Sequence, residues 1–116
     1  MLNKKAGAIF IYNEAVDMRK SIDGLVGVVS SQLLSNPTDG SIYVFYNRGF
    51  DKVKLIYWSI GGFCLFYKRL EKNRFKFPNQ SSNIYNLDHC QLHYLLDGLD
   101  LTKMPKEDYN KYDIYC

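Results

Sequence analysis

A stretch of strand-like sequence from Arg48 to Lys76 is the feature that most limits what this chain can fold into. Apolar and polar residues alternate within it at the two-residue period of half-buried strands, and turn-forming residues interrupt it at Gly61-Gly62 and at 71–73. Strands joined by such short turns pair with their neighbours along the chain. The sequence therefore predicts an antiparallel meander with strands at 52–58, 63–69 and 74–77.

The residues before this meander predict a strand, a helix and a further strand. The strands are expected at 6–12 and 41–46, separated from the helix by polar turns. Gly24 and Gly27 weaken helix propensity by about 1 kcal/mol each, so we expect the helix to approach the sheet closely in compensation. The apolar stripe of the helix is Ile22, Leu25, Val26, Val29 and Leu33.

The residues after the meander predict a brief strand at 84–85 and a short helix. Asp88 and Gln91 have capping-box spacing, and Gly98 stands where that helix should end. The fold class predicted is α+β: an antiparallel sheet of about five strands with one long helix packed on it and a short C-terminal helix. Residues 1–104 are expected to form this single domain, and residues 105–116 a polar, tyrosine-rich, weakly ordered tail.

Composition is that of a globular domain. The chain has 116 residues, of which 47% are hydrophobic and 23% charged, so wholesale disorder is not expected. No apolar run approaches the ~18 residues of a membrane-spanning helix, and no membrane partner is predicted. Three cysteines are odd in number and too few for a disulfide framework, which indicates a reducing, cytoplasmic compartment.

Positive charge is concentrated in the meander. Residues 48–76 contain eight Lys and Arg against two carboxylates, a balance of +6, whereas residues 1–47 balance at zero and residues 77–116 at −3. A sheet face with clustered cations beside aromatic rings suits a nucleic-acid backbone. The alternative is a solubilised antiparallel sheet whose lysines protect an edge against aggregation.

Strand alternation predicts that five cations share one solvent-exposed face of the sheet. They are Lys52, Lys54, Arg74, Lys76 and one of the adjacent pair Lys68 and Arg69. Such cations would neutralise phosphates, while Trp58 or a nearby tyrosine could stack on a splayed base. Two further cations, at the start of the first helix, would extend the surface. The predicted DNA-contacting residues are Arg19, Lys20, Lys52, Lys54, Trp58, Lys68, Arg69, Arg74 and Lys76.

The sequence contains no motif that specifies catalysis or a cofactor. His89, Cys90 and His93 have a metal-like spacing, but a structural zinc site needs four ligands and no second pair is present. A nucleophile elbow, a phosphate-binding glycine loop and a metalloprotease helix motif are all missing. We therefore predict no catalytic residues, no metal, no cofactor and no small-molecule substrate.

Several short motifs occur in a specific order and spacing along most of the chain. They are D-M-R-K at 17–20, D-G-L at 23–25, N-P-x-x-G at 36–40, Y-V-F at 43–45, Y-W at 57–58, G-F-C-L-F-Y-K-R-L at 62–70, R-F-x-F-P at 74–78 and L-L-D-G-L-D at 95–100. In these motifs the chain resembles the small accessory proteins, often called TnpB, that the second reading frame of bacterial insertion sequences of family sixty-six encodes. Those proteins are distinct from the RNA-guided nucleases that share the label.

The resemblance implies a non-catalytic helper of transposition that acts with a separate transposase. Family members often have a longer, arginine-rich hairpin loop where this chain has 47–51, many have Trp at the position of Phe77, and many have Gly at the position of Ser21. The positions that match the polar motifs of the family are Asp17, Arg19, Lys20, Asp23, Lys68, Arg69 and Arg74.

Three functions follow as expectations. The leading one is a transposition accessory protein that binds DNA through a basic sheet face, and the ends of the insertion sequence are the expected DNA. The second is an interaction module whose aromatic surface docks the transposase or a second copy of the chain. The third is an RNA-binding regulator, which a preference for single strands would distinguish.

Overall fold

The computed structural model describes residues 8–77, 84–100 and 103 of the chain. Its five strands form one sheet in the order β4-β3-β2-β1-β5, so the predicted α+β class is confirmed. The tail predicted at 105–116 lies outside the described residues. In chain order the elements are β1 Ile9–Tyr12, α1 Ile22–Ser31, β2 Ile42–Tyr46, β3 Lys52–Ser59, β4 Gly62–Arg69, β5 Ile84–Leu87 and α2 His89–Leu96.

The sheet is mixed, so the prediction of an antiparallel sheet is wrong in one respect. β1 pairs with β2 in parallel, with Ile9 opposite Ile42, whereas the other three strand pairs are antiparallel. Two parallel neighbours run in the same direction, so the chain must cross back between them, and α1 lies in that connection. The meander from β2 to β4 follows the prediction.

Helix α1 spans ten residues and is shorter than the long helix predicted from its apolar stripe. Ser21 is its N-cap but makes no side-chain capping bond. Gly27 is exposed and an added Cβ would meet nothing within 4 Å, while at Gly24 it would meet the side chain of Lys20. Helix α1 does pack on the sheet, through Leu25 and Val29, but the two glycines are not the residues that make the contact.

The two helices cover opposite faces of the sheet, which gives three layers. All five residues of β2 are buried because both faces of this strand are covered. On the α1 face the fully buried side chains are Leu25, Val29, Tyr43, Phe45 and Ile56, together with the nearly buried Tyr12. On the α2 face they include Ile9, Ile11, Val44, Leu55, Leu92 and Leu95.

The turn between β3 and β4 differs by one residue from the predicted position. Ser59 pairs with Gly62, so the two turn residues are Ile60 and Gly61 rather than the two glycines. Both have positive φ, 23° at Ile60 and 81° at Gly61. Gly62 is thereby the first residue of β4.

The predicted strand at 74–77 is wrong, because this segment does not join the sheet. The backbone N–H of Phe75 donates to the carbonyl of Phe50 at 2.7 Å, but no ladder follows. Phe75 is buried, and the Phe77 ring lies 4.4 Å from that of Tyr46 between centroids. The segment is therefore attached through its aromatic side chains.

Helix α2 begins as predicted. The Asp88 carboxylate accepts from the backbone N–H of Gln91 at 2.7 Å, and the Gln91 side chain accepts from the Asp88 N–H at 2.9 Å. Gly98 follows the helix with a φ of 82°. In the described part of the chain neither helix is long and apolar enough to cross a membrane.

Candidate nucleic-acid interface

Cations gather at one end of the sheet, where β3 begins and β4 ends. Lys52 and Arg69 are opposite each other across these strands, and the Leu70 N–H donates to the Asp51 carbonyl at 2.8 Å. That bond holds the segment after β4 against the turn between β2 and β3. We call the following six residues the cationic end: Arg48, Lys52, Arg69, Lys72, Arg74 and Lys76. Against these six cations the same segments carry two carboxylates, Asp51 and Glu71, for a net charge of +4.

Two members of the cationic end pair with neighbouring carboxylates. Arg69 Nε donates to Glu71 at 2.8 Å, and Lys52 Nζ lies 3.5 Å from Asp51. Hydrogen bonding from the Asn47 amide, and then the charge of Lys52, hold the pKa of the Asp51 carboxyl below its ordinary value. Because water screens such exposed pairs, they hold their partners weakly. A phosphate can therefore replace either carboxylate.

The other four members of the cationic end are exposed to solvent. Arg48, Lys72, Arg74 and Lys76 have no ion pair or hydrogen bond to any part of the chain that the structure describes. Arg74 and Lys76 are among the predicted contacts, and they point outward because Phe75 between them is buried. Arg48 and Lys72 belong to the charged stretch at 48–76 but are not among the predicted contacts.

Lys54 has a structural position instead. It lies on the same sheet face as Lys52, as strand alternation predicts, but it is only 8% exposed. Its Nζ donates to the carbonyl oxygens of Met18 and Lys20, both at 2.8 Å, and lies 5.2 Å from the centroid of the Tyr67 ring. The prediction that Lys54 lies on a solvent-exposed face is therefore wrong.

Lys68 lies on the opposite face of the sheet, with the side chains that pack against α2. Its Nζ donates to the carbonyl oxygen of Leu96, the last residue of that helix, at 2.7 Å. A cation is favourable there because the last carbonyls of a helix lack intrahelical partners. Lys68 and Arg69 therefore lie on opposite faces of the sheet, and Arg69 is the one on the same face as Lys52.

Trp58 lies at the far end of β3 from the cationic end. Six residues of strand, about 20 Å, separate it from Lys52. Its ring packs edge-on against Phe63, with centroids 4.9 Å apart. A tyrosine is closer: Tyr67 is 49% exposed and shares the α1 face with Arg69 and Lys52.

The turn before α1 lies beside this surface, because the carbonyl of Lys20 accepts from Lys54. Arg19 has a 92% exposed side chain and forms an ion pair within the turn, where its Nε and Nη2 donate to the Asp17 carboxylate at 2.9 and 2.6 Å. These hydrogen bonds lower the pKa of Asp17 to about 2. Lys20 is exposed, and its side chain lies against Gly24 of α1.

The described residues hold no group of three or more His, Cys, Asp or Glu side chains that could bind a metal ion. His89 and His93 both belong to α2, and the D-H-C-x-x-H segment there forms the capped start of the helix.

Comparison with known proteins agrees with the motifs. The family described as IS66 Orf2 like protein matches residues 7–106. Two Sinorhizobium fredii proteins described as uncharacterized are similar: y4jC is 33% identical over 99 residues, 85% of each chain, and y4hO is 39% identical over 93 residues, 79% of this chain and 80% of its own. No solved structure gives a significant match. This chain belongs to the IS66 Orf2-like family, an insertion-sequence-associated family that is not a known catalytic one.

Proposed function

We propose that this protein is a non-catalytic accessory factor for transposition that binds the DNA backbone through its cationic end. The family supports an association with an insertion sequence. We expect the protein to bind the ends of that insertion sequence and to do so in the bacterial cytoplasm. The observation that carries the proposal is the exposure of four cations, Arg48, Lys72, Arg74 and Lys76, which form no ion pair with any described residue. They lie on segments that hydrogen bonds hold together. No membrane and no small-molecule substrate form part of it.

The physical basis is counterion release. Each phosphate that a Lys or Arg neutralises lowers the slope of log K against log salt by about 0.9 on duplex DNA. The four exposed cations give a slope near −3.6, and exchange of Lys52 and Arg69 from their carboxylates would steepen it to about −5.4. The proposal therefore predicts a slope between about −3.6 and −5.4 on duplex DNA.

Fluorescence anisotropy with a labelled duplex of the element's end sequence tests it, between roughly 50 and 200 mM salt. The double variant Arg74→Ala/Lys76→Ala should flatten the slope by about 1.8. A matched control, Ser30→Glu/Ser59→Glu, lowers the net charge equally at exposed positions outside the cationic end and should leave the slope unchanged. Equal effects of both variants would show that only net charge matters, and wild-type binding without salt sensitivity would remove the proposal.

Docking on the separate transposase is the second candidate function, and two exposed aliphatic side chains favour it. Ile60 in the β3–β4 turn is fully exposed, and Leu34 after α1 is 86% exposed. Both loops lie at the end of the sheet where Ile42 pairs with Tyr57, away from the cationic end. Retention of transposase at high salt without DNA by the wild type, but not by Leu34→Ser/Ile60→Ser, would support this function. Equal retention by the variant would count against it.

A further inference from the structure

We infer that the Tyr67 ring is a stacking platform for an unpaired base, so that the cationic end engages DNA where the two strands are separated. This inference rests on the proposed function and adds the class of DNA to it. Tyr67 lies on the α1 face of the sheet, and it is more exposed than the other aromatic rings described on that face.

Tyr67 is the most exposed aromatic side chain of the described residues. It is 49% exposed, against 36% for Phe50, and its hydroxyl has no hydrogen-bond partner among the described residues. On the same α1 face, Tyr43 and Phe45 are buried under the helix and Trp58 packs on Phe63. Tyr67 therefore presents a flat π surface to solvent that packing within the chain does not use.

The ring is also held in place from below. The Lys54 ammonium lies over it, 5.2 Å from the centroid, and two carbonyl oxygens fix that ammonium. One face of the ring is thus covered by a cation, and its exposure lies on the other face and the edge. A fixed ring loses little freedom when a base stacks on it, so the platform is preorganised.

Cations flank the ring on the side of the cationic end. Arg69 follows two residues later on the same face, and Lys52 lies opposite Arg69 across the two strands. An aromatic ring beside cations that track the backbone is the arrangement by which proteins bind single strands. The base faces of a duplex are already stacked on one another, so such a ring gains contact only with an unpaired base.

The test compares a labelled single strand of about 20 nucleotides with the duplex of the same sequence, using the full chain. Tyr67→Leu keeps an apolar side chain suited to a strand but removes the π surface. It should weaken binding of the single strand roughly tenfold and of the duplex less than about twofold. The salt slope should stay the same, because stacking releases no counterions. Tyr67→Phe keeps the ring and should bind as the wild type does.

The outcomes separate this inference from the proposed function. Salt-sensitive duplex binding combined with unchanged single-strand binding by Tyr67→Leu would overturn the inference alone. Equal loss on both DNAs would overturn it as well, since it would indicate general damage to the surface. An RNA strand of the same sequence, bound as tightly and with the same dependence on Tyr67, would overturn the assignment to DNA. Wild-type protein that binds neither DNA would overturn the proposed function itself.

Discussion

The Lys54 ammonium donates to the carbonyl oxygen of Lys20, 34 residues earlier in the chain, at 2.8 Å. With a second bond to the Met18 carbonyl, it fastens β3 to the turn that precedes α1. The sequence predicts that Lys54 contacts phosphates, but its ammonium instead stabilises the fold through these two hydrogen bonds. Its neighbour Lys52, two residues away on the same face, remains accessible.

Replacing Lys54 should lower stability and leave the salt slope of duplex binding unchanged. Lys54→Met retains the apolar stem but leaves two carbonyls without their charged donor, and hydrogen bonds to charged groups contribute about 1.5–3 kcal/mol each. We expect the free energy of unfolding in urea to fall by about 3 kcal/mol. Lys20→Met is the control, because only its backbone carbonyl takes part, and it should stay within about 0.5 kcal/mol of the wild type. Similar losses in both variants would contradict the structural assignment of Lys54.

Lys68 and Lys72 should behave in opposite ways. Lys68→Met removes the cation at the C-terminus of α2 and should lower the free energy of unfolding by about 1–2 kcal/mol, with the salt slope of DNA binding unchanged. Lys72→Met removes an exposed cation and should leave stability unchanged while it flattens the slope by about 0.9. Urea denaturation and anisotropy on the same two variants measure both effects. A flatter slope for Lys68→Met would restore it to the DNA-contacting set.

Local pattern predicted most of the elements but not all of their pairing. Turn chemistry and alternation gave β2, β3 and β4 to within a residue or two, and the capping box gave the start of α2. Parallel pairing of Ile9 with Ile42 depends on contacts across the whole α1 connection, which no local pattern encodes. The strand–helix–strand order did contain that information, since a helix between two strands allows them to be parallel neighbours.

The candidate site was predictable in composition but not in geometry. Alternation placed Lys52 and Lys54 on one face correctly, yet burial by α1 and its preceding turn decides that one is exposed and the other is not. The same alternation at 74–77 indicated a strand, although aromatic packing of Phe75 and Phe77 produces the same spacing without a ladder. Periodicity reports which side chains are buried, and it leaves open what buries them.

Acid titration should reveal the Asp17–Arg19 pair. Hydrogen bonds from Arg19 lower the pKa of the Asp17 carboxyl from 3.8 to about 2. Because this pKa is lower in the folded state, the pair stabilises the turn above pH ~4, and its contribution is lost as the pH falls through about 2. An NMR titration of the Asp17 side chain should give a midpoint near 2 in the wild type and nearer the ordinary value in Arg19→Ala. An unchanged midpoint in that variant would show that another group lowers the pKa.

The β3–β4 turn should become more stable when Ile60 is replaced by Asn. Ile60 and Gly61 both have positive φ, as in the hairpin turn that favours Asn-Gly, and a β-branched residue is strained there. Left-handed backbone costs an ordinary residue roughly 1–2 kcal/mol. Since the Ile60 side chain is fully exposed, Ile60→Asn gives up no burial, and we expect a gain of about 1 kcal/mol. Thermal unfolding should then shift upward by about 4 °C.

Ser59→Asn, one residue earlier and outside the positive-φ pair, is the control. A gain there equal to that of Ile60→Asn would mean that the polar side chain, and not relief of backbone strain, stabilises the hairpin.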